Sequence, residues 1–370
     1  MTTGAEPLRD ARRLSAEGSE SIECCGADRV ESKILTRPSD PRSPQTADWL
    51  RLKLVSGALP LPGHRAGDPL TVSWLGAGES YAAWLVDADQ SVVVRIPYRD
   101  AAAMPRPIEA EFAALKLVPP EVGTHGLAVG VDENNPLGCR FVMTTFASGE
   151  AKPVEEWTDA DLAAVASRLA QLHDHSQPMC GPVTDPQSGR VDLVGEFEAG
   201  WDWWREHHPD VTRSPQPQRL LPLARAFIAA RASDFEELRE FSLVHADLIA
   251  NNVVFDGGQP RFIDWEWAEF GDPARDLALL GGTVHGGPWY VPMDAAQVEA
   301  LVAAYVAGVE RASGRRLAPE SLLRRRDAWE VYERFQGGLH YLLKAGELPD
   351  SHYVSGAAKV WSTLESRLLG

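Results

Sequence analysis

Two aspartates and an asparagine surround a predicted β-hairpin in the stretch HADLIANNVVFDGGQPRFID, which begins at His245 and ends at Asp264. Asp247 and Asn252 come just before the first strand, and Asp264 follows the second. Carboxylate and amide oxygens are hard ligands that suit Mg²⁺, which usually binds one or two carboxylates together with waters and substrate phosphates. The spacing therefore predicts an oxygen-rich site for Mg²⁺ at the open end of the hairpin.

The register of this hairpin decides whether Asn252 and Asp264 meet. Its strands are the β-prone runs VVF and RFI, and the turn cluster DGGQP lies between them. If Phe255 pairs with Arg261, Asn252 falls directly opposite Asp264, and directly opposed Cβ atoms lie roughly 4.5 to 5.5 Å apart. We therefore expect both side chains to reach the same ligand.

The composition limits the kinds of partner. With 370 residues, of which 44% are hydrophobic, the chain can bury a substantial core as one large domain or two lobes. A net charge of −17 argues against nucleic acid, because neutralising phosphates requires a basic surface, and it favours a cationic small molecule. No run of 18 apolar residues and no apolar signal segment is present, so neither membrane association nor export is predicted.

The cysteines predict a chain without a disulfide framework. Cys24, Cys25, Cys139 and Cys180 lack the spacing of two CxxC metal-binding pairs, and the adjacent Cys24 and Cys25 are a poor start for paired disulfides. Unpaired thiols fit the reducing cytoplasm, which is the predicted location. The expected oligomeric state is a monomer or a homodimer.

The first 45 residues differ from the rest in composition. They are rich in Arg, Ser, Glu, Asp and Pro, carry few aromatics and show no sustained periodicity. Such a segment buries too little apolar area to offset the entropy lost on ordering. We predict a disordered tail over residues 1–45, and a start codon assigned too far upstream would give the same composition.

The remaining sequence divides into a β-rich and a helical region. Residues 70–96 alternate or run apolar around glycines, which predicts strands joined by turns, and residues 141–145 return to a strand pattern. Residues 159–173 have apolar positions at helical spacing after an N-cap candidate, which predicts an amphipathic helix. Further helical patterns lie at 107–118, 217–240, 273–281, 294–312, 319–345 and 355–369.

Three motifs follow one another in the second half of the chain. They are H-x-D-x-x-x-x-N from His245 to Asn252, IDW at 263–265 and GDPARDLA at 271–278. Together they resemble the motifs of the aminoglycoside phosphotransferase family, and the resemblance extends over residues 70–345. The motifs are specific about the reaction and nearly silent about the acceptor.

The resemblance implies a fold and a reaction. The family has an α+β, protein-kinase-like two-lobed fold, so a small β-rich, nucleotide-binding N-lobe is expected at residues 46–146. A larger, mainly helical C-lobe with the catalytic loop and the acceptor site is expected at residues 147–370. Such enzymes transfer the γ-phosphoryl group of ATP or GTP to a hydroxyl of a small molecule, with Mg²⁺ as the metal.

The resemblance also gives the residues near the hairpin their roles. Asp247 matches the catalytic base that orients the acceptor hydroxyl and accepts its proton, and Asn252 and Asp264 match the Mg²⁺ ligands. By similarity, His245 braces the loop and Asp276 accepts hydrogen bonds from its backbone. A lone Asp or Asn is more often a turn or cap residue, but three in this spacing argue against that interpretation. A hydrolytic metal pair of His245 and Asp247 is the rival, and no further His-rich motif completes it.

Gly76, Gly78 and Ser80 lie between two predicted strands, where the family covers the nucleotide phosphates. Glycines let the backbone approach closely, and backbone N–H groups and the Ser80 hydroxyl can donate to phosphate oxygens. A plain hairpin turn would have the same residues, and Tyr81 interrupts a full GxGxxG. Arg95 stands where kinases carry the phosphate-pairing lysine, and a guanidinium can bind phosphate bidentately.

The other expected nucleotide contacts come from the resemblance alone. Glu111 matches the helix glutamate that pairs with the phosphate-binding cation, and Glu109 is the competing candidate. Thr144 and Phe146 fall in a segment that resembles the link between the lobes, where main-chain groups hydrogen-bond a purine. A buried strand predicts the same letters, so only the order of the motifs supports the nucleotide interpretation.

Glu266 and Glu269 follow Asp264 closely and are the candidate ligands of the acceptor. Carboxylates there suit a cationic or amine-bearing molecule, although solvated surface carboxylates are the alternative. The favoured acceptor is an antibiotic such as an aminoglycoside, a peptide antibiotic or a macrolide. The alternatives are a metabolic kinase acting on choline, a sugar or an amine, and a nucleotide-binding pseudokinase, which Arg95 and the incomplete glycine loop permit.

Overall fold

The computed structural model describes residues 37–65, 67–104 and 106–370. Contacts among them define two units. The first, here called the sheet unit, contains the described residues up to 104 together with residues 126–146. The second, called the helical unit, contains residues 106–125 and 147–370.

An antiparallel sheet is the main element of the sheet unit. Its five strands are β1 (Thr71–Ala77), β2 (Tyr81–Asp87), β3 (Val92–Pro97), β4 (Gly126–Gly130) and β5 (Phe141–Thr145). They are arranged in the order β1-β2-β3-β5-β4. Helix α1 (Gln45–Val55) contributes Trp49 and Leu50 to a core that includes Trp84 and Phe141 of the sheet. The alternating, glycine-interrupted pattern predicted strands in the regions of β1, β2 and β3, and the pattern at 141–145 predicted β5, whereas α1 and β4 were not predicted.

The chain just before α1 contacts the sheet unit, although the predicted tail extended to residue 45. The indole Nε1 of Trp84 donates to the Pro41 carbonyl at 3.0 Å, and Arg37 donates to the Gly138 carbonyl at 3.0 Å. Trp84 is buried, so the Pro41 carbonyl satisfies a buried donor. The tail boundary is corrected accordingly. The prediction for residues 1–36 lies outside the described residues.

Residues 106–125 belong to the helical unit, whereas the predicted N-lobe included them. The end of this segment is held by backbone hydrogen bonds from the Phe262 N–H to the Val122 carbonyl (2.9 Å) and from the Thr124 N–H to the Phe262 carbonyl (3.2 Å). These partners are far apart in sequence, so local patterning did not indicate the pairing.

Helices form most of the helical unit. Their bounds are α2 (Ile108–Leu117), α3 (Asp159–Leu172), α4 (Leu193–His207), α5 (Pro209–Thr212), α6 (Pro215–Ala229), α7 (Ala274–Leu280), α8 (Ala295–Ser313), α9 (Pro319–Glu347) and α10 (His352–Leu369). A capping box starts α3, because Thr158 accepts from the Asp161 N–H and Asp161 accepts from the Thr158 N–H. The same arrangement, with Asp294 and Gln297, starts α8.

One helical prediction differs from the structure, and helices α1, α4 and α5 were not predicted. The pattern at 217–240 predicts one helix, but α6 ends at Ala229 and a separate 3₁₀ turn follows at Ala232–Phe235, where Ser and Asp favour turns over helix. Helix α4 was not predicted, although Asp192 caps it and its buried side chains recur at helical spacing. These buried residues are Leu193, Phe197, Trp201 and Trp204.

Short strands connect the helices. They are β6 (Glu150–Ala151), β7 (Ser176–Gln177), β8 (Gly181–Pro182), β9 (Phe241–Val244), β10 (Val253–Asp256), β11 (Gln259–Phe262), β12 (Glu269–Gly271), β13 (Gly281–Gly282) and β14 (Val291–Pro292). Their sheets have the orders β11-β10-β6 and β7-β9-β12-β8, and β13 pairs with β14 in parallel. Strands of two to four residues carry too little periodicity to be read from sequence.

The predicted hairpin is present as β10 and β11, but its register is wrong by one residue. The structure pairs Phe255 with Pro260, not with Arg261, and closes the hairpin with the pair Asp256 and Gln259. The turn consists of two glycines, both with positive φ (+55° and +81°), where the prediction used a five-residue turn cluster. Two-residue turns with positive φ match the twist of paired strands, which sets the observed register.

Among the described residues, no helix combines the length and the hydropathy that a membrane span requires. Within the same part of the chain, Cys139 and Cys180 are free thiols. Cys24 and Cys25 lie outside it.

Candidate active site

A short loop after the buried strand β9 carries the predicted base. Asp247 is fully buried. Asn252, the last residue of a 3₁₀ turn five residues later in the chain, holds it by hydrogen bonds. The Asn252 amide nitrogen donates to the Asp247 carbonyl at 2.8 Å and to its carboxylate Oδ2 at 3.1 Å. No hydrogen-bond partner for the other oxygen, Oδ1, occurs in the described part of the chain. One carboxylate oxygen is thus held in place and the other is left for a ligand.

The backbone of this loop is clamped by Asp276 of α7, as the resemblance implied. Its carboxylate accepts from the N–H groups of His245 (2.7 Å) and Ala246 (2.9 Å). It also accepts from Nε2 of His173 at 3.1 Å, and Tyr305 contacts the other nitrogen of that ring at 2.9 Å. Burial alone would raise the pKa of Asp276, but the hydrogen bonds and charges around it lower the pKa below its ordinary value.

Sequence reasoning missed His173 as part of this clamp, because it was read only as the end of a helix. The signal was a histidine directly after the last apolar position of α3. The clamp holds an unusual backbone, since Ala246 has a φ of +58°. A non-glycine residue in that region costs of order 1 to 3 kcal/mol, so surrounding contacts must maintain it.

His245 has the bracing role that was expected. Its Nε2 donates to the Ile263 carbonyl at 2.9 Å, and its ring lies 4.5 Å from the ring of Trp265. Burial lowers the pKa of His245, and the negative charge of Asp276 opposes that shift without overcoming it. A neutral imidazole in this position links the catalytic loop to the segment that follows β11.

The corrected register changes how Asn252 and Asp264 are related. The Ile263 N–H donates to the Asn252 carbonyl at 3.0 Å, so Asn252 lies opposite Ile263 and Asp264 is one residue further on. Asp264 adopts a φ of +67°, a conformation that Asp tolerates better than most residues. Both residues remain at the open end of the hairpin.

The charges around Asp247 favour a cation. Burial raises the pKa of Asp247 well above its ordinary value, and the negative charges of Asp264 and Glu266 raise it further. In the described ranges, no group of three or more His, Cys, Asp or Glu side chains forms a metal site. The protein donors for Mg²⁺ are therefore few: the Asp264 carboxylate and the Asn252 amide oxygen, near the unpartnered Oδ1 of Asp247. Such a small set fits Mg²⁺, which keeps waters and substrate phosphates as its other ligands.

The two predicted acceptor ligands have different surroundings. Glu266 is buried and close enough to Asp247 for its charge to raise the pKa of that base. Glu269 is paired on both oxygens, with Arg275 at 2.6 Å and with Arg106. Arg275 also donates to Glu333 at 2.7 Å. An acceptor contact by Glu269 would therefore share these arginines, and its role stays a prediction.

Glu196 of α4 was not among the predicted site residues. Desolvation by the surrounding protein raises the pKa of Glu196 to about 7, and the positive charge of Arg275 opposes this shift. The negative charges of Glu269 and Glu333 add to it. The Glu196 side chain is nevertheless accessible to solvent, and solvent screening reduces the effect of the pKa shift on stability. Glu196 is thus an accessible carboxylate that faces other carboxylates and makes no ion pair with another described residue.

The predicted phosphate-binding residues lie in the sheet unit. Gly78 and Ser80 form the turn between β1 and β2, and Gly76 lies next to a bulge in β1. The Ser80 hydroxyl is buried and has no hydrogen-bond partner among the described residues. Arg95 of β3 lies over the ring of Tyr81, 4.2 Å from its centroid. The residue that interrupts the glycine motif therefore contacts the cation expected to bind phosphate.

The remaining nucleotide predictions are placed as follows. Glu111 is buried on α2 while Glu109 is exposed, which favours Glu111 as the functional glutamate. Thr144 lies in β5, between β3 and β4. The Phe146 N–H donates to the Ser91 carbonyl at 3.2 Å, so of its main-chain groups the carbonyl is the one left for a purine.

Comparison with known families gives one match over most of the folded chain. A model of the phosphotransferase enzyme family, APH, matches residues 71–318, which is more than half of the 370 residues. No curated protein sequence is similar enough to count as a match.

Several solved structures are similar in fold. A choline/ethanolamine kinase family protein from Mesorhizobium loti has a TM-score of 0.56 at 19% identity, covering 87% of this chain and 95% of its own. Choline kinase from Cryptosporidium parvum Iowa II has a TM-score of 0.57 at 11% identity, covering 86% and 97%. A thermostable mutant of aminoglycoside phosphotransferase APH(4)-Ia, in a ternary complex with AMP-PNP and hygromycin B, has a TM-score of 0.53 at 17% identity, covering 82% and 96%. At these identities the likeness establishes the fold, and the predicted α+β, kinase-like class is confirmed.

Proposed function

Because the chain belongs to the phosphotransferase enzyme family, we propose that it transfers the γ-phosphoryl group of ATP or GTP to a hydroxyl of a small molecule. One observation carries the proposal. Asp247 is buried at the end of a clamped loop, with one carboxylate oxygen fixed by Asn252 and the other without a partner in the described chain. That arrangement suits a group that receives a hydroxyl proton.

The proposed reaction assigns each bond change to an atom. The acceptor hydroxyl oxygen forms a bond to the γ-phosphorus, the bond from that phosphorus to the bridging oxygen breaks, and the nucleoside diphosphate leaves. The hydroxyl proton goes to Oδ1 of Asp247. The hydrogen bond from Asn252 fixes Oδ2 and leaves Oδ1 as the oxygen that would receive the hydroxyl proton.

Asn252 and Asp264 would hold Mg²⁺ through their side-chain oxygens. When bound, Mg²⁺ supplies positive charge that neutralises the phosphate oxygens of the nucleotide. Arg95 would pair with those phosphates, and the nucleotide-binding role of Glu111 stays a prediction. The Ser80 hydroxyl would donate to the phosphates, and Gly76 and Gly78 would let the backbone approach them, while the Gly78 N–H itself donates to the Tyr81 carbonyl at 3.1 Å. Thr144 and Phe146 would contact the purine through main-chain groups.

The acceptor is best described as an amine-bearing small molecule. Glu196 is an accessible carboxylate that makes no ion pair with another described residue, so it would be available to a cationic group in the ligand. Glu266 adds negative charge near Asp247. An antibiotic with amino groups, such as an aminoglycoside, fits this description, and the fold resembles that of a phosphotransferase in complex with hygromycin B.

A second candidate function is phosphorylation of a metabolic amine. The fold is equally similar to that of choline kinases, and choline is a cation that the same carboxylates would attract. A nucleotide-binding pseudokinase is the third possibility. It is opposed by the presence of Asp247 together with Asn252 and Asp264, since a base would be expendable without catalysis.

The test is a screen of acceptors with Mg-ATP and Mg-GTP, in which the phosphorylated product is detected by its mass. Aminoglycosides, other antibiotics, choline, ethanolamine and neutral sugars would be compared, with an Asp247→Asn variant as the control. The proposal is supported if the wild type phosphorylates amine-bearing acceptors and the Asp247→Asn variant does not. A product formed equally by the Asp247→Asn variant would refute the assigned base, and the absence of product with every acceptor would favour the pseudokinase.

A further inference from the structure

The residues directly after β3 hold the turn that carries Gly78 and Ser80. The Tyr98 hydroxyl donates to the Gly78 carbonyl, and the Tyr98 N–H donates to the Ser80 carbonyl at 3.1 Å. The next residue, Arg99, forms an ion pair with Glu79, with 3.2 Å between Nη2 and Oε2. Three consecutive residues of the turn are therefore tied to two consecutive residues of one neighbouring segment.

Packing contributes little to holding the turn at its centre. A side chain built on Gly78 would meet no atom within 4 Å, so the turn is surrounded by open space at that point. The Arg99–Glu79 pair is largely shielded, with side-chain exposures of 35% and 16%. A hydrogen bond and an ion pair therefore restrain the backbone at Gly78 and Glu79, next to the buried Ser80.

The bond to the Gly78 carbonyl also determines where a neighbouring donor points. In a planar trans peptide the C=O of one residue and the N–H of the next point in opposite directions. Holding the Gly78 carbonyl toward Tyr98 therefore directs the Glu79 N–H away from Tyr98. Backbone N–H groups fixed in one direction are what a glycine-containing turn uses to bind an anion.

Tyr98 and Arg99 are themselves supported from the other side. The Arg42 guanidinium lies over the Tyr98 ring, 4.7 Å from its centroid, and Asp40 holds Arg42 through two hydrogen bonds of 3.0 and 3.1 Å. Arg140 donates to the Arg99 carbonyl at 2.7 Å. These side chains border a cavity of about 660 Å³, so Tyr98 and Arg99 do not rest on a packed core there. Polar contacts keep them in place.

We propose that Tyr98 and Arg99 are positioning residues that fix the turn at 76–80 in the conformation that receives the nucleotide phosphates. The proposal rests on the proposed function, because it assumes that this turn binds a nucleotide. A turn that is already fixed loses less conformational entropy on binding, so its ligand binds more tightly. The two residues act through the turn and do not themselves need to contact the nucleotide.

The test measures nucleotide affinity separately from catalysis and from stability. The full chain and its Tyr98→Phe variant are titrated with Mg-AMP-PNP and Mg-GMP-PNP by calorimetry. Loss of one such hydrogen bond should weaken binding about three- to tenfold. The KM for the acceptor and the melting temperature should stay close to those of the wild type. Tyr353→Phe, which removes a hydroxyl from α10 in the helical unit, is the matched control and should leave nucleotide affinity unchanged.

A second pair of variants tests Arg99 independently. Arg99→Gln and Glu79→Gln should each weaken nucleotide binding. The double variant should bind the nucleotide as tightly as the weaker-binding single variant, because both substitutions remove the same ion pair. A merely structural role would lower the melting temperature and change kcat and both KM values together. Unchanged nucleotide affinity in Tyr98→Phe and Arg99→Gln, with a wild type that binds, overturns the proposal. If the wild type binds neither analogue, the proposed function fails, and this inference fails with it.

Discussion

At the residue scale, the candidate site depends on a contact between Asp247 and Asn252. The Asn252 amide donates twice to the base, so its nitrogen is fully used and its oxygen is the atom left for a metal. Burial and the charge of Asp264 raise the pKa of Asp247. Asn252 thus fixes one oxygen of the proposed base and keeps its own amide oxygen for the proposed metal.

Replacing Asp247 with Asn should lower kcat by about 10² to 10⁴, because the variant keeps the shape of the side chain but cannot accept the hydroxyl proton. The dissociation constant of the Mg-nucleotide should barely change. Steady-state kinetics with the acceptor found in the screen, together with a nucleotide titration, measure both. The exposed Asp174→Asn is the control, and near-normal turnover in Asp247→Asn would contradict the assigned role.

Asn252→Ala should raise the Mg²⁺ concentration needed for half-maximal activity, since it removes a proposed ligand. For the second ligand the informative change is Asp264→Asn, because Asn tolerates the φ of +67° and the substitution then tests charge without backbone strain. We expect a severe loss of activity that added Mg²⁺ restores only in part. Titration of MgCl₂ at fixed ATP measures this. An identical Mg²⁺ dependence in both variants and the wild type would mean that neither residue binds the metal.

Glu196 predicts a pH dependence of stability. Its pKa is raised from 4.5 to about 7 in the folded protein, chiefly by crowding, so the neutral form is favoured in that state. The contribution of Glu196 to the free energy of unfolding is largest below about pH 4.5 and is lost as the pH rises toward 7. Relative to Glu196→Gln, the wild type should therefore lose unfolding free energy across this window.

The loss should be about 1 kcal/mol or less, because the side chain is accessible to solvent. Urea unfolding of both proteins at pH 5, 6, 7 and 8 measures it, with Glu198→Gln as a control on the same helix. A constant difference between wild type and Glu196→Gln at all four values would show that the carboxylate titrates normally.

At the element scale, β9, α3 and α7 are joined by a single carboxylate. Asp276 of α7 holds the backbone that follows β9 and also accepts from His173 at the end of α3. The hairpin that follows is set by its turn, whose two glycines both have positive φ. The position of Asp264 relative to the loop therefore depends on the conformation of that turn.

Gly257→Ala should destabilise the protein by about 1 kcal/mol, because an L-residue is strained at a φ of +55° even where space is open. The matched control is Gly346→Ala in α9, which also has open space but no positive φ. That change should stabilise the protein by about 0.5 to 1 kcal/mol. Urea unfolding measures both. Equal effects of the two substitutions would argue against strain at the turn.

At the scale of the whole molecule, the predicted site residues are divided between the two units. The sheet unit carries the candidate phosphate turn and Arg95, while the helical unit carries Asp247, Asn252 and Asp264. The net charge of −17 belongs to the chain as a whole and is consistent with a cationic acceptor. The sheet unit begins earlier than composition predicts, because the segment at 37–44 satisfies a buried donor.

Deleting residues 1–36 should leave turnover and melting temperature unchanged, since their composition offers little to a core. Deleting residues 1–44 should lower the unfolding free energy by about 1 to 3 kcal/mol, because the Trp84 indole then loses its carbonyl partner in a buried position. Thermal unfolding of both truncations beside the full chain measures this. Equal melting temperatures of the two truncations would show that the contact from Pro41 to Trp84 contributes nothing.

The sequence by itself determined the features that depend on neighbours along the chain. The motif spacing selects Asp247 and Asn252 as candidate site residues, and the resemblance predicts the family. The existence of the hairpin and of helix α3 follows from local propensity, alternation and capping. The alternation also predicts the sheet unit. Each of these properties depends on short-range backbone preferences, which a single sequence records directly.

Only the tertiary structure decided which distant side chains meet. The hairpin register, by contrast, follows from the local two-glycine turn, where the prediction had used a five-residue turn cluster. In the folded protein His173 donates to Asp276, and Arg106 pairs with Glu269, which had been predicted to bind the acceptor. Glu196 lies accessible to solvent near other carboxylates. Contacts of this kind depend on how whole elements pack, and no periodicity within one element specifies the side chains of another.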